Sequence, residues 1–240
     1  MAKKIVAIDG PAGSGKSSVS KQVARQLNFG YLDTGAAYRA LAWATLNGLS
    51  LEKLEGADFE ADFDYSISTD PDDFWVRVAG HDVTEAIRTS LISETVSSVA
   101  ALTSVREYMK RLTRALVEEC SLEGVVVEGR DITTVVFPEA QSRLLLTASE
   151  TVRLQRRSKE LSADSASAVV NQVSKRDEND SKIVDFMNAA PGVTLVDSSD
   201  LDFDQTVSVM IAQITADLKA SASCTTTSNS SQSRLISLKN

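Results

Sequence analysis

Between Ile5 and Ser18 the chain reads IVAIDGPAGSGKSS, an apolar run followed by Gly10, Gly13, Gly15, Lys16 and Ser17 in the spacing GxxxxGKS. Glycines at these intervals let the backbone curl around an anion, so that successive N–H groups point at one phosphate chain. Lys16 is placed to reach the outer phosphates, and the Ser17 hydroxyl is placed to ligate a magnesium ion. Val19, Val23, Ala24 and Leu27 recur at helical spacing directly behind, so a helix N-terminus would aim its dipole at the same phosphates. Strand, glycine loop, Lys-Ser and helix come in the order that a nucleoside triphosphate site requires. The donor site is therefore expected over Gly10, Pro11, Ala12, Gly13, Ser14, Gly15, Lys16, Ser17 and Ser18.

Other charged residues fall where a site of this kind would use them. The apolar run Val125–Val127 ends in Glu128, Gly129, Arg130 and Asp131. Glu128 stands where P-loop proteins keep an acid that organises magnesium, although a strand-terminal surface acid is an equally open reading. Arg39, Arg106 and Arg130 lie in separate segments, each after a core-type element. Seven basic residues, Arg153, Arg156, Arg157, Lys159, Lys175, Arg176 and Lys182, crowd one further stretch. Several arginines beside a P-loop imply a second, phosphorylated ligand, because guanidinium forks match phosphate bidentately.

These residues need a frame. Short apolar strands around Ile5–Ile8, Phe29–Asp33, Val125–Val127, Arg143–Leu146 and Leu195–Val196 alternate with helical patterns. That alternation predicts an α/β fold, a parallel sheet with helices on both faces, whose ligands sit at the carboxyl ends of the strands. Helices are expected over 36–46, 90–99, 105–119 and 204–220, with 50–60 as connection. Phe63–Ile67 and Phe74–Val78 alternate apolar with polar residues, which predicts a small antiparallel insert, with turns at Asp70–Asp73 and Ala79–Asp82. The expected organisation is a core over 1–60 and 90–220, a lid at about 151–185, an insert over 61–89, and a disordered Ser/Thr-rich tail over 221–240.

Composition narrows the partners. A net charge of −8 argues against nucleic acid or a membrane surface, which need clustered positive charge. No run approaches the ~20 apolar residues of a membrane helix, and the start of the chain does not read as a signal peptide. Cys120 and Cys224 match no metal or redox spacing and read as unpaired thiols in a reducing cytoplasm. His81 is the one histidine, which removes histidine triads and multi-histidine metal sites. The missing NKxD motif argues against a GTPase.

The segments GPAGSGKSS, LDTGAAYRA, DVTEAIRT, VSSVAALTSVR, VVEGRDITTVVFPEA and KRDENDS together resemble, in order and spacing, the bacterial cytidylate kinases. The resemblance covers roughly residues 4–200 and implies a cytoplasmic, monomeric P-loop kinase that moves the γ-phosphoryl group of ATP to CMP or dCMP with Mg2+. Residue by residue, it implies that Thr34 and Asp131 touch the cytosine amino group, while Ser97 and Arg106 face its N3 and carbonyl edge. Arg39 and Arg130 would clamp the CMP phosphate, Arg176 and Asp180 would lie near the ribose and the closing lid, and Arg156 would serve the ATP side. Lys16, Arg39, Arg130 and Arg176 would be the catalytic set. Two positions depart from the family pattern: Ile183 replaces an arginine, and Thr133 replaces a glycine that would strain threonine if it carried a positive φ. The rivals are a kinase of another acceptor such as UMP, and an ATP-binding module of weak activity.

Overall fold

The computed structural model describes residues 3–56, 59–161 and 185–232. Five parallel strands make the central sheet: β1 (Lys4–Asp9), β2 (Gly30–Asp33), β6 (Gly124–Gly129), β7 (Ser142–Thr147) and β8 (Thr194–Asp197), in the order β2-β6-β1-β7-β8. Such strands are covered on both faces and therefore read as unbroken apolar runs. Alternate residues serve opposite cores. Ile5, Ala7, Leu32, Val125 and Val127 pack on one side with α2 (Thr34–Leu46), α4 (Ser90–Ala100) and α5 (Thr103–Glu119). Val6, Ile8, Tyr31, Val126, Leu144 and Leu146 pack on the other, against Val19 and Val23 of α1 (Lys16–Leu27) and Val207, Met210 and Ile214 of α7 (Phe203–Gln232).

The antiparallel insert is present as β3 (Tyr65–Ile67), β4 (Val76–Val78) and β5 (His81–Asp82). Its Phe63, Ile67, Val76, Val78 and Val83 join the same core as α2, α4 and α5. The turn expected over 79–82 is tighter: Ala79 and Gly80, at φ 49 and 76, reverse the chain alone, which frees His81 and Asp82 to pair with β4.

Two expectations need correction, and one element carries no signal in the sequence. Residues 50–60 are not mere connection, because Ser50 caps a short helix, α3 (Leu51–Glu55), by accepting the Glu52 N–H at 3.2 Å. The helix expected to end at Ala220 continues to Gln232, through the stretch assigned to a disordered tail. Nothing from 203 to 232 is glycine or proline, and the Ser221 and Ser223 hydroxyls donate back to the carbonyls four residues earlier, each at 3.0 Å. Finally, the segment Ile132–Val136, which carries no helical pattern, forms one π-helical turn closed by Phe137 N–H to Ile132 C=O at 2.8 Å.

Candidate active site

The carboxyl ends of β1, β2 and β6 converge, and the loop after β1 opens α1. Gly13, at φ 74, lies so close to α6 (Glu150–Leu161) that an added Cβ would stand 2.5 Å from the Arg153 carbonyl. Gly15, at φ 83, delivers Lys16 as the first helical residue, so the N-terminal end of α1 begins directly at the loop. Two α6 arginines fasten this loop. Arg153 Nη1 donates to the Ala12 carbonyl at 2.9 Å, and Arg156 Nη1 to the Ser14 carbonyl at 3.2 Å. Arg156 also holds the Ser198 carbonyl, so this expected ATP-side residue belongs to the wall of the loop.

Glu128 is 1 % exposed at the end of β6. The Tyr31 hydroxyl donates to its Oε1, whereas Oε2 is buried with no hydrogen-bond partner among the described residues. Burial raises the pKa of this carboxyl and Asp33 adds to the rise; Lys16, Tyr31 and Ser17 pull it down. The glutamate is thus no surface acid: its bare oxygen shares its surroundings with the P-loop lysine and serine. Asp33 caps α2 by accepting the Ala36 N–H at 3.0 Å and takes Arg88 Nη2 at 3.3 Å.

On the other side of β6, an open cleft is lined by Thr34, Tyr38, Arg106, Lys110 and Asp131, with Met109, Ile132 and Val136 as its apolar walls. Arg106 Nη2 and Asp131 Oδ2 form an ion pair of 2.7 Å, and the Thr34 hydroxyl donates to the Glu128 carbonyl at 2.7 Å. Burial lifts the Asp131 pKa against the pull of Arg106. Arg130 Nη1 reaches from this side to the Gly10 carbonyl at 2.6 Å, and its guanidinium lies 5.0 Å from the Phe186 ring. Arg39 is buried on α2 and donates to Ser93 Oγ at 3.0 Å and to the Ile87 carbonyl at 3.3 Å.

The structure therefore brings Thr34, Arg106 and Asp131 together in one cleft, with Arg130 bridging to the P-loop. Ser97, on α4, is not among the residues lining that cleft. Arg176, Asp180 and Ile183 lie outside the described residues. Thr133 is not strained: among the described residues, positive φ outside glycine is confined to Asn28 and Ala79. Sequence reading passed over Asp9, Tyr31, Tyr38 and Lys110. Two of these carried a usable signal, since Tyr38 and Lys110 stand one helical turn beyond Thr34 and Arg106, and four-residue spacing shares a face. Asp9 ends an apolar strand just as Glu128 does.

A P-loop bridged by Arg130 to a second, polar cleft that holds Thr34, Arg106 and Asp131 has the layout of a phosphotransferase of two substrates. The particular family follows from comparison with known proteins: the family model described as Cytidylate kinase matches residues 6–216, and the chain belongs to that family. A cytidylate kinase of Rhodococcus jostii is 42% identical over 212 residues, covering 85% of this chain and 92% of its own. Those of Streptomyces avermitilis (40% over 213 residues; 88% of this chain, 92% of that one) and Cutibacterium acnes (38% over 219; 90% and 97%) are similar.

Proposed function

We propose that this chain transfers the γ-phosphoryl group of ATP to CMP or dCMP, giving ADP and the corresponding cytidine diphosphate. The observation that carries the base assignment is the Thr34 hydroxyl. A carbonyl can only accept, so the bond to Glu128 C=O spends the single Thr34 proton and leaves its oxygen as an acceptor. Cytosine presents an amino donor at the matching edge, where uracil presents a carbonyl. Asp131 adds a second acceptor, and Arg106 beside it supplies donors for the ring nitrogen and the carbonyl. Uracil would leave these groups unpaired, which is where a site of this kind gains its discrimination.

Phosphoryl transfer asks little covalent help of a protein and much placement. The P-loop N–H groups and the leading turn of α1 hold the donor phosphates, and Lys16 neutralises the charge that develops between donor and acceptor. Arg39 and Arg130 hold the acceptor phosphate in line. The bare Oε2 of Glu128 and the Ser17 hydroxyl fit Mg2+, which keeps most of its water and takes few protein ligands. When bound, the ion would offset the negative charge of the phosphates. No group is assigned as general base. Residues 61–89 act on the CMP side, and the lid at about 151–185, with Arg176 and Asp180, excludes water so that ATP is not hydrolysed.

Thr34→Val tests the base reading. It keeps the shape of the side chain and removes the acceptor. The kcat/KM for CMP is expected to fall by roughly tenfold or more while that for UMP stays the same or rises. Equal losses with both acceptors would refute the assignment of Thr34 to the amino group.

A further inference from the structure

Thr133 stands where the family pattern has glycine, and the structure gives all three of its polar groups work. Asp9, the last residue of β1, is 2 % exposed, and Thr133 is 3 % exposed. Asp9 Oδ1 accepts the Ile132 N–H at 3.0 Å, while Oδ2 accepts the Thr133 N–H at 2.8 Å and the Thr133 hydroxyl at 2.7 Å. The Thr133 carbonyl accepts Arg143 Nη1 at 3.2 Å, and Arg143 Nη2 reaches the Pro191 carbonyl at 3.3 Å. One residue beyond Asp9, the Gly10 carbonyl takes Arg130, whose other side meets Phe186, itself 1 % exposed.

Asp9 and Gly10 are the entry to the P-loop, and Arg130 and Asp131 are the acceptor-side pair. The stretch from Phe186 to Pro191 follows in sequence the segment read as the lid. Three parts that must keep register during transfer are therefore laced together through one buried carboxylate and one threonine.

We propose that Thr133 and Asp9 are positioning residues: they set the place of the acceptor arginine relative to the P-loop and tie both to the stretch 186–191. The inference rests on the reading that Arg130 holds the acceptor phosphate. In-line transfer is sensitive to misplacements of about 1 Å, so a slack strap costs rate even though neither residue touches substrate. The threonine hydroxyl is the part that this chain adds. A glycine could supply the amide bond to Asp9 but not the third hydrogen bond.

The test compares Thr133→Val, which keeps the shape and removes the donor, with Thr133→Ser, which keeps the donor. Arg130→Met serves as a control, and all are made in the full chain. Steady-state kinetics with CMP are read beside ATP affinity measured without CMP and beside the melting temperature. Valine is expected to lower kcat/KM for CMP by about tenfold, the size of one hydrogen bond to a buried carboxylate, with ATP affinity held and serine restoring most of the loss. Should the valine variant not fold, Thr133→Ala reads the same missing donor without pressing a methyl on the carboxylate. Unchanged kinetics in the valine or alanine variant, or a serine variant as impaired as valine, would overturn the positioning role while Arg130→Met still lowers kcat/KM for CMP by roughly a thousandfold. Full CMP turnover by Arg130→Met would instead overturn the underlying reading of the site, and this inference with it.

Discussion

Lys16→Ala is expected to lower kcat for phosphoryl transfer by about a thousandfold, with a melting temperature close to that of the parent protein. Lys16 is only partly buried and opens α1, so its loss removes no core packing. What disappears is a charge held where the donor's outer phosphates must pass, beside the carboxyl of Glu128. Because the transition state spreads charge over the transferred oxygens, the loss should fall on kcat more than on ATP binding, which the loop N–H groups of Gly13 to Ser17 still support. Arginine at this position should not restore the rate, since a planar fork does not fit a cradle shaped for a compact ammonium. A Lys16→Ala enzyme turning over within a few-fold of the parent would remove the P-loop from the chemistry.

The second large effect is expected at Arg130. Its Nη1 is anchored on Gly10, the first P-loop glycine, and one face of the guanidinium is covered by Phe186, so the side chain is fixed before any ligand arrives. Arg130→Met removes the charge and the fork together. We expect kcat/KM for CMP to fall by roughly a thousandfold, of the order that arginines supply in phosphoryl transfer, while ATP binding alone changes little. Arg130→Lys should recover only a minor part, because one ammonium cannot hold the Gly10 carbonyl and a phosphate in the same geometry. Titrating CMP and ATP separately distinguishes this outcome from a collapse of the P-loop, which would weaken both.

Much of this arrangement was legible before the structure because its signals are local. The P-loop spacing, the apolar runs of β1 and β6, and the change of period at the insert each lie within a dozen residues. What escaped was long-range or governed by its surroundings. The bond from Tyr31 to Glu128 joins residues 97 apart, and that from Thr133 to Asp9 joins residues 124 apart. No pattern within either segment announces them. The β-branched run Ile132–Val136 argues for a strand by composition, yet two N–H groups bound to a buried carboxylate impose a helical turn. That same turn relieves the strain anticipated for Thr133. The end of α7 was misplaced for a different reason: Ser and Thr are weak helix formers, but without glycine or proline nothing stops the helix there.

The central claim is that a P-loop donor site faces a cleft built to read cytosine. It is tested most directly by coupled ADP release with ATP and Mg2+, offering CMP, dCMP, UMP and AMP in turn. Turnover with CMP and dCMP, at least about a hundredfold above that with UMP and AMP in kcat/KM, is the predicted result. Comparable turnover with UMP or AMP, or none with CMP from a protein that still binds ATP, would contradict it.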